Sequence, residues 1–319
     1  MSIAPGKKIC AILLAMGGPN EIGDISRYLY NIFSDRTLIK LPGGPLFQKP
    51  LARLISIIRT PKVKARYKLI GGGSPLLRWT EKQAGQVEKK LSQSIPNFRC
   101  CVAMRYFEPY IETTLAGVFE NRYDHIIFLP MYPQYSIATT GSCFAKVARI
   151  KDESNTACSF IKDYYSNERY IALMQEYIAA HKKDDEVLLF SAHSLPQELV
   201  DDGDPYVEQV NTTAKLAADG QKYYVSFQSR TGPVNWVGPD TVATARRLLK
   251  EGKSIFVVPV SFVCDHIETL YEIDIDLPKK LGDKAKDRVR RMPMFNDDPG
   301  FSDVLVNLIE EAIKKNDTT

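Results

Sequence analysis

The chain has 319 residues, 44% of them hydrophobic and 25% charged. That is the balance of an ordinary globular protein, long enough for one large or two medium domains. No run reaches the roughly 18 to 20 apolar residues that a membrane-spanning helix needs, and the formal charge of +4 is unremarkable except in its distribution; no nucleic-acid partner is expected.

Lys7 and Lys8 precede an apolar stretch that faintly resembles a secretion signal. It runs into Gly17-Gly18-Pro19 without a small-residue cleavage pattern, so it reads as a buried first strand, Ile9–Ala15, and the mature chain is expected to begin near Met1. Further strands are predicted at Arg99–Met104, Ile126–Met131, Cys158–Ile161, Glu186–Ser191, Tyr223–Phe227 and Ser254–Val260. Between them, apolar residues at three- and four-residue spacing predict helices over Thr80–Gln93, Tyr110–Phe119, Asn167–Ala180, Pro205–Ala218 and Asp240–Leu249. The alternation predicts an α/β fold, with parallel sheets covered on both faces by helices.

The order of elements repeats. "ILLAMGGP" at 12–19 is echoed by "LLFSAHSLP" at 188–196, and "IIFLPMYPQYS" at 126–136 by "IFVVPVSFVCD" at 255–265. Two similar halves are expected, 1–165 and 166–319. The first two strands of the first half lie about 90 residues apart, against about 37 in the second, so the first half carries an insertion of roughly 50 residues between about 20 and 78. Within 36–80 there are ten Lys or Arg and no Asp or Glu, which leaves the rest of the chain at −6. That flap is also rich in Leu, Ile and Pro, a composition suited to an anionic membrane surface or to a ligand with carboxylates.

The six cysteines, at 10, 100, 101, 143, 158 and 264, form no CxxC pair and no disulfide framework, which fits a reducing compartment. Of four histidines, His125 and His181 read as structural. His193 falls at the carboxyl end of a strand, where ligands of parallel sheets gather, and His266 follows another strand in "SFVCDHIETLYEIDID". If that segment is helical from about Asp265, then Glu268, Glu272 and Asp276 stack on one face, an arrangement that calls for a cation or for transferred protons. No HExxH occurs, and Gly71-Gly72-Gly73-Ser74 lacks the lysine of a phosphate loop.

Seven blocks, "LLAMGGP", "RTPKVKARYKLIGGGSPLLRWT", "AMRYFEP", "LPMYPQYSIATTGS", "FSAHSLP", "QSRTGPVNWVGPDT" and "PVSFVCDHIETLYEIDI", stand in the order of the ferrochelatase family, which the chain resembles over nearly its whole length. The resemblance implies two Rossmann-like halves holding a porphyrin under a lip that touches membrane, with the insertion as the lip. It implies protoporphyrin IX and ferrous iron as substrates, His193 as the active-site histidine and Glu268 as the glutamate facing it. These two are the candidate iron ligands. Asp265 and His266 match a supporting pair, Glu272 and Asp276 an acidic path outward, and Met16, Arg59, Tyr67, Ser74, Arg105, Tyr106, Trp236 and Phe262 match pocket-lining positions. Some members hold an iron–sulfur cluster; here Ile137 stands where one of its cysteines would, and no cysteine follows 264, so no cluster and no permanently bound cofactor is expected. Bacterial members acting on coproporphyrin typically carry Tyr at the position of Met16, so the methionine favours protoporphyrin. The implied location is the cytoplasm, with peripheral contact at the inner face of the membrane; the oligomeric state is left open. A porphyrin carrier, or a cobalt or sirohydrochlorin chelatase, is the rival reading.

Overall fold

The computed structural model describes residues 6–150, 156–232 and 234–317. They form two compact units: unit 1 takes the residues up to Met131, Ile137–Lys162 and the chain from Asn296 onward, and unit 2 takes Tyr132–Ser136 and Asp163–Phe295.

Unit 1 runs β1 (Ile9–Ala15), α1 (Ile25–Ser34), α2 (Gly44–Lys68), α3 (Leu76–Leu91), β2 (Phe98–Met104), α4 (Ile111–Glu120), β3 (His125–Pro130), α5 (Ser142–Ala148) and β4 (Ala157–Phe160). Its sheet is wholly parallel in the order β2-β1-β3-β4. Every residue of β1 is buried, as its unbroken apolar run requires of a central strand. The insertion is helical. In α1 Ile25, Leu29 and Phe33 recur every fourth residue and turn inward. α2 is 25 residues long and carries Pro50 and Pro61, neither of which can donate the usual backbone hydrogen bond.

Unit 2 repeats the plan with α6 (Glu168–His181), β5 (Glu186–His193), α7 (Gln197–Asp201), α8 (Tyr206–Ala218), β6 (Tyr223–Gln228), α9 (Thr241–Lys250), β7 (Ser254–Pro259), α10 (Ile267–Leu270), α11 (Leu277–Leu281) and β8 (Val289–Arg291). The sheet order β6-β5-β7-β8, again all parallel, matches unit 1 strand for strand. The correspondence reaches single hydrogen bonds: Met131 N–H donates to the Leu14 carbonyl at 2.7 Å, and Val260 N–H donates to the Ser191 carbonyl at 3.0 Å. α6 begins where the Asn167 side chain accepts from two backbone N–H groups at 3.1 Å, and α9 where Asp240 accepts from Ala243 at 2.8 Å.

The units are not two contiguous halves. The last helix, α12 (Pro299–Asp317), returns to unit 1. Its Phe301, Val304, Leu305 and Ile309 are buried, and its start is fastened to α3 by Lys90–Asp303 at 2.6 Å, Lys82–Asp297 at 2.5 Å and a bond from Gln83 Nε2 to the Asn296 carbonyl at 2.6 Å. An amphipathic helix goes wherever an apolar face is left open, whatever its place in the chain. β8 is an element that the hydrophobic pattern does not announce, being three residues long with two arginines.

Candidate functional site

In a parallel sheet of this order, the chain passes from the first and third strands toward opposite edges of the sheet, and a crevice opens at their carboxyl ends. In unit 2 those strands are β5 and β7. His193 is the last residue of β5, and Ser261 and Phe262 follow β7. The two ends are tied together, since the His193 backbone N–H donates to Ser261 Oγ at 3.0 Å. His193 Nδ1 lies 2.7 Å from the Ser194 carbonyl. A carbonyl only accepts, so Nδ1 carries the hydrogen and, in the neutral ring, Nε2 keeps a lone pair. The next residues are pinned: Gln197 N–H donates to the Asn235 carbonyl at 2.8 Å, Val237 N–H to the Leu195 carbonyl at 2.9 Å, and Ser194 Oγ to the Val237 carbonyl at 2.9 Å. Trp236 is thereby held against the turn that follows His193, and its buried indole N–H has no acceptor among the described residues.

Beyond β7 lie the acids. The His266 ring packs edge-on against Phe262, 4.5 Å between centroids, with Nε2 3.6 Å from Glu268 Oε2. Burial lowers the His266 pKa, overriding the opposing pull of Glu268 and Asp265, which favours the neutral imidazole. Thr269 Oγ1 accepts from the His266 backbone at 3.0 Å and donates to Asp265 Oδ1 at 3.0 Å. Arg291, from β8, reaches Asp265 at 3.2 Å while gripping Asp274 through two bonds of 2.7 and 2.8 Å.

The expected α-helical ladder is corrected. α10 covers only Ile267–Leu270, and Glu272–Asp276 is π-helical, with Asp276 N–H donating to the Tyr271 carbonyl at 2.8 Å. His266 is extended and Asp265 lies outside the helix. Pro278 has no N–H for the Asp274 carbonyl, so one rung of an α ladder is missing where this stretch meets α11. Ile273 and Leu277 enter the core beside Leu189 and Val257, which anchors the wide turn. π-helical turns are frequent at functional sites. Asp276 is already paired with Lys280 at 2.6 Å.

Among the described residues, Glu272 has no such cation. Burial, then the charge of Glu268, raises its pKa; the opposing bonds come from Ser229 Oγ and from Gln228 Nε2 at 3.2 Å. Gln228 is itself oriented, because its Oε1 accepts from Ser191 Oγ at 2.7 Å and its Nε2 also donates to the Glu268 carbonyl at 2.8 Å. Ser229 adopts φ +67°, a left-handed backbone that disfavours a non-glycine residue. Ser191, Gln228, Ser229, Ser261 and Arg291 were not foreseen. Gln228 pairs with His193 at the end of β6, so the strand-end rule extended to that strand would have found it.

In unit 1, Met16 and Arg105-Tyr106 follow β1 and β2 at the equivalent edge, and Tyr106 N–H donates to the Met16 carbonyl at 2.9 Å. Arg105 is committed to an unforeseen partner: its guanidinium binds Asp35 Oδ2 and, through Nε, Ser142 Oγ at 3.0 Å. The Tyr106 hydroxyl donates to the same Asp35 oxygen at 2.9 Å. Burial pushes the Asp35 carboxyl up, but its bonds from Thr37 and the Arg105 charge hold it below its ordinary value. Tyr67 and Tyr106 lie inside unit 1, 3% and 2% exposed. Ser74 meets the first glycine turn, donating its N–H to the Pro19 carbonyl at 2.7 Å, and a Cβ on Gly18 would come within 2.6 Å of its own Cβ. Arg59 lies over the Phe33 ring at 5.4 Å, with no acid paired to it among the described residues; burial, then the charge of Arg66, lowers its pKa. Along α2, Leu46 (87% exposed), Phe47, Leu54, Ile57 and Ile58 form an outward apolar stripe beside exposed Lys49, Arg53 and Lys62. Among the described residues, no three His, Cys, Asp or Glu side chains converge on a metal position, and no helix is long and apolar enough to cross a membrane.

A family model described as ferrochelatase matches residues 8–313. A ferrochelatase of Geotalea uraniireducens is 41% identical over 319 residues, covering 96% of this chain and 98% of that protein. One from Gloeothece citriformis is 37% identical, covering 98% of this chain and 84% of its own length. Among solved structures, SirB from Bacillus subtilis with Fe3+ superposes at a TM-score of 0.58 with 12% identity, covering 98% of each chain. CbiX, the terminal enzyme of sirohaem biosynthesis in denitrifying bacteria, does so at 0.50 with 14% identity, covering 95% of this chain and 98% of its own. At such identities these two bear on the fold alone.

Proposed function

The chain belongs to the ferrochelatase family, enzymes that insert ferrous iron into a porphyrin in haem synthesis, and from that premise we propose that its porphyrin is protoporphyrin IX and that His193 takes the departing pyrrole protons. The observation that carries the second part is the Nδ1 contact to the Ser194 carbonyl, which leaves Nε2 as the acceptor. Metallation replaces two N–H protons of the macrocycle with Fe2+. Imidazole is the side chain suited by its chemistry to taking up a proton in general base catalysis near neutral pH. A planar porphyrin keeps its lone pairs in the ring plane, so apolar walls that bend it assist the metal; Trp236, Phe262 and Met16 are the candidates, and strain of this kind is worth roughly 1 to 5 kcal/mol.

Glu268 stands beside His266, whose neutral form burial favours, and takes part in delivering iron, with His193 and Glu268 as transient ligands; imidazole and carboxylate both suit Fe2+. Glu272, whose pKa is raised by burial and by the charge of Glu268, relays protons away. Asp276, neutralised by Lys280, belongs to the outer end of that path. Arg59 is the candidate for a porphyrin carboxylate, since Arg105 is occupied by Asp35. The apolar and basic face of α2 is assigned to an anionic membrane surface, with the body of the enzyme in the cytoplasm. Ile137 in place of the cluster cysteine supports an enzyme without an iron–sulfur centre.

The test is anaerobic metallation of protoporphyrin and coproporphyrin side by side, with His193→Ala as control. Protoporphyrin should be the better substrate. The variant should bind it, shown by fluorescence quenching, yet fail to metallate it. Faster turnover of coproporphyrin would overturn the substrate assignment, and near-parental turnover by His193→Ala the mechanistic one.

A further inference from the structure

Outside the reaction site, unit 1 holds a pair of thiols. Cys10 on β1 and Cys101 on β2 have their sulfurs 3.8 Å apart. In the strand register Cys10 lies opposite Arg99, and Cys101 opposite Ile12, so the two cysteines share one face but are offset by two residues. With a rise of about 3.3 Å per residue and strands about 4.8 Å apart, that offset separates their Cα atoms by about 8 Å. A disulfide does not bridge Cα atoms more than about 7 Å apart without backbone movement. Two thiolates on one tetrahedral metal ion are another matter: with metal–sulfur bonds of about 2.3 Å, their sulfurs sit about 3.8 Å apart. The observed spacing is that of a metal bite and the backbone offset is wrong for a disulfide.

We propose that Cys10 and Cys101 form a binding site for a thiophilic cation of the Zn2+, Cd2+ or Cu+ class, separate from the site at which iron is inserted. Cys10 stands near the start of β1 and Met16 just past its end, about 20 Å along the strand, so the thiol site lies at the other end of the sheet from the residues matched to the porphyrin pocket. Access is through Cys101, which is half-buried on the edge strand β2, while Cys10 is fully buried behind it. The pair is primed for ionisation from one side. The Cys10 thiol donates to Cys101 sulfur, and that bond, then burial, raises Cys10, while the same bond lowers Cys101 with help from the Arg99 charge. Binding a divalent ion releases both thiol protons to solvent and forms two metal–sulfur bonds, with no change of oxidation state. No third His, Cys, Asp or Glu among the described residues completes the set, so the remaining positions fall to water or a small solvent anion. Soft thiolates select such ions over hard ones such as Mg2+. Cys100, between Arg99 and Cys101, alternates to the opposite face and takes no part.

The experiment is an anaerobic titration of reduced, metal-free protein with Cd2+ alone, without porphyrin, in a Cys158→Ser background that removes the exposed thiol. The readout is the ultraviolet thiolate-to-cadmium charge-transfer absorbance, to which ligation by histidine or carboxylate contributes nothing. It should saturate at one ion per chain, persist in Cys100→Ser and be lost in Cys101→Ser, a partly exposed position tolerant of the change; Cys10→Ala gives a second reading. Addition of Zn2+ should displace the band. No band in the Cys158→Ser parent, or a full band in Cys101→Ser, would overturn the proposal. So would a Cys10–Cys101 disulfide found by peptide mapping after treatment with diamide, since it would show that the strands do not hold the thiols at a metal bite.

Discussion

Asp35 is the residue on which unit 1's pocket edge depends, and its removal is a quantitative test. Its carboxylate is 11% exposed and that of the Arg105 side chain facing it 14%, so the pair is largely desolvated. Asp35 Oδ2 receives Arg105 and the Tyr106 hydroxyl, while Oδ1 receives the Thr37 N–H at 2.9 Å and the Thr37 hydroxyl at 2.7 Å. Asp35→Ala strips all four donors and leaves the guanidinium buried without a counter-charge. Breaking a buried pair from one side costs about 3 to 5 kcal/mol. For a unit of this size that lowers Tm by roughly 6 to 20 °C. Arg105→Met should cost a similar amount, because it leaves the carboxylate alone, and the double variant should cost clearly less than the sum of the two. The assay is thermal and urea unfolding of the four proteins, completing a double-mutant cycle. The pH dependence carries its own sign. The folded carboxyl lies below its ordinary value, so its stabilisation is complete above the unfolded pKa of about 3.9 and is lost as pH falls through the lower, folded value. Asp35→Ala should therefore lose its deficit relative to the parent only in strong acid. Single substitutions costing under about 1 kcal/mol, with additive energies, would mean that the pair behaves as a solvent-exposed ion pair and the reasoning is wrong.

Glu272 has the opposite sign. Its pKa is raised by burial and by Glu268, so the folded state gives up stability as pH rises from the unfolded carboxyl value to the folded one. Glu272→Gln should be more stable than the parent at neutral pH, the difference vanishing in acid, while metallation slows; a neutral-pH destabilisation in urea titrations would refute the buried-charge reading. On α2, Arg53→Glu with Lys62→Glu should weaken binding to anionic vesicles, with salt suppressing the remainder over a Debye length of about 10 Å at 0.1 M. Arg59→Ala should instead raise KM for porphyrin; unchanged vesicle affinity and unchanged kinetics together would make the flap a solvated basic surface. As-purified enzyme should contain no acid-labile sulfide, and stoichiometric sulfide would overturn the reading of Ile137.

Much of this protein is legible in local pattern. The run Ile9–Ala15 coincides with β1 residue for residue, because a central parallel strand must be apolar on both faces, and that requirement is written in consecutive positions. The doubled order of elements in the sequence is the doubled sheet order of the structure. His193 is placed by the same logic, as the residue where β5 stops. Other features were decided by partners far away in the chain. That Asp265–Asp276 is not one α-helix follows from the anchoring of Ile273 and Leu277 in a core built from β5 and β7. Asp35 meets Arg105 across 70 residues, and Gln228 meets Glu272 across 44. Nothing in the spacing of such residues marks the meeting, because a hydrogen bond or ion pair depends on where two backbones are brought together and carries no periodicity of its own. Hydrophobic periodicity therefore determined β1 to β7 and their order, while β8, the environment of each buried polar group, and with it the direction in which the pKa values of His266 and Glu272 move, were settled only when the sheets closed around them.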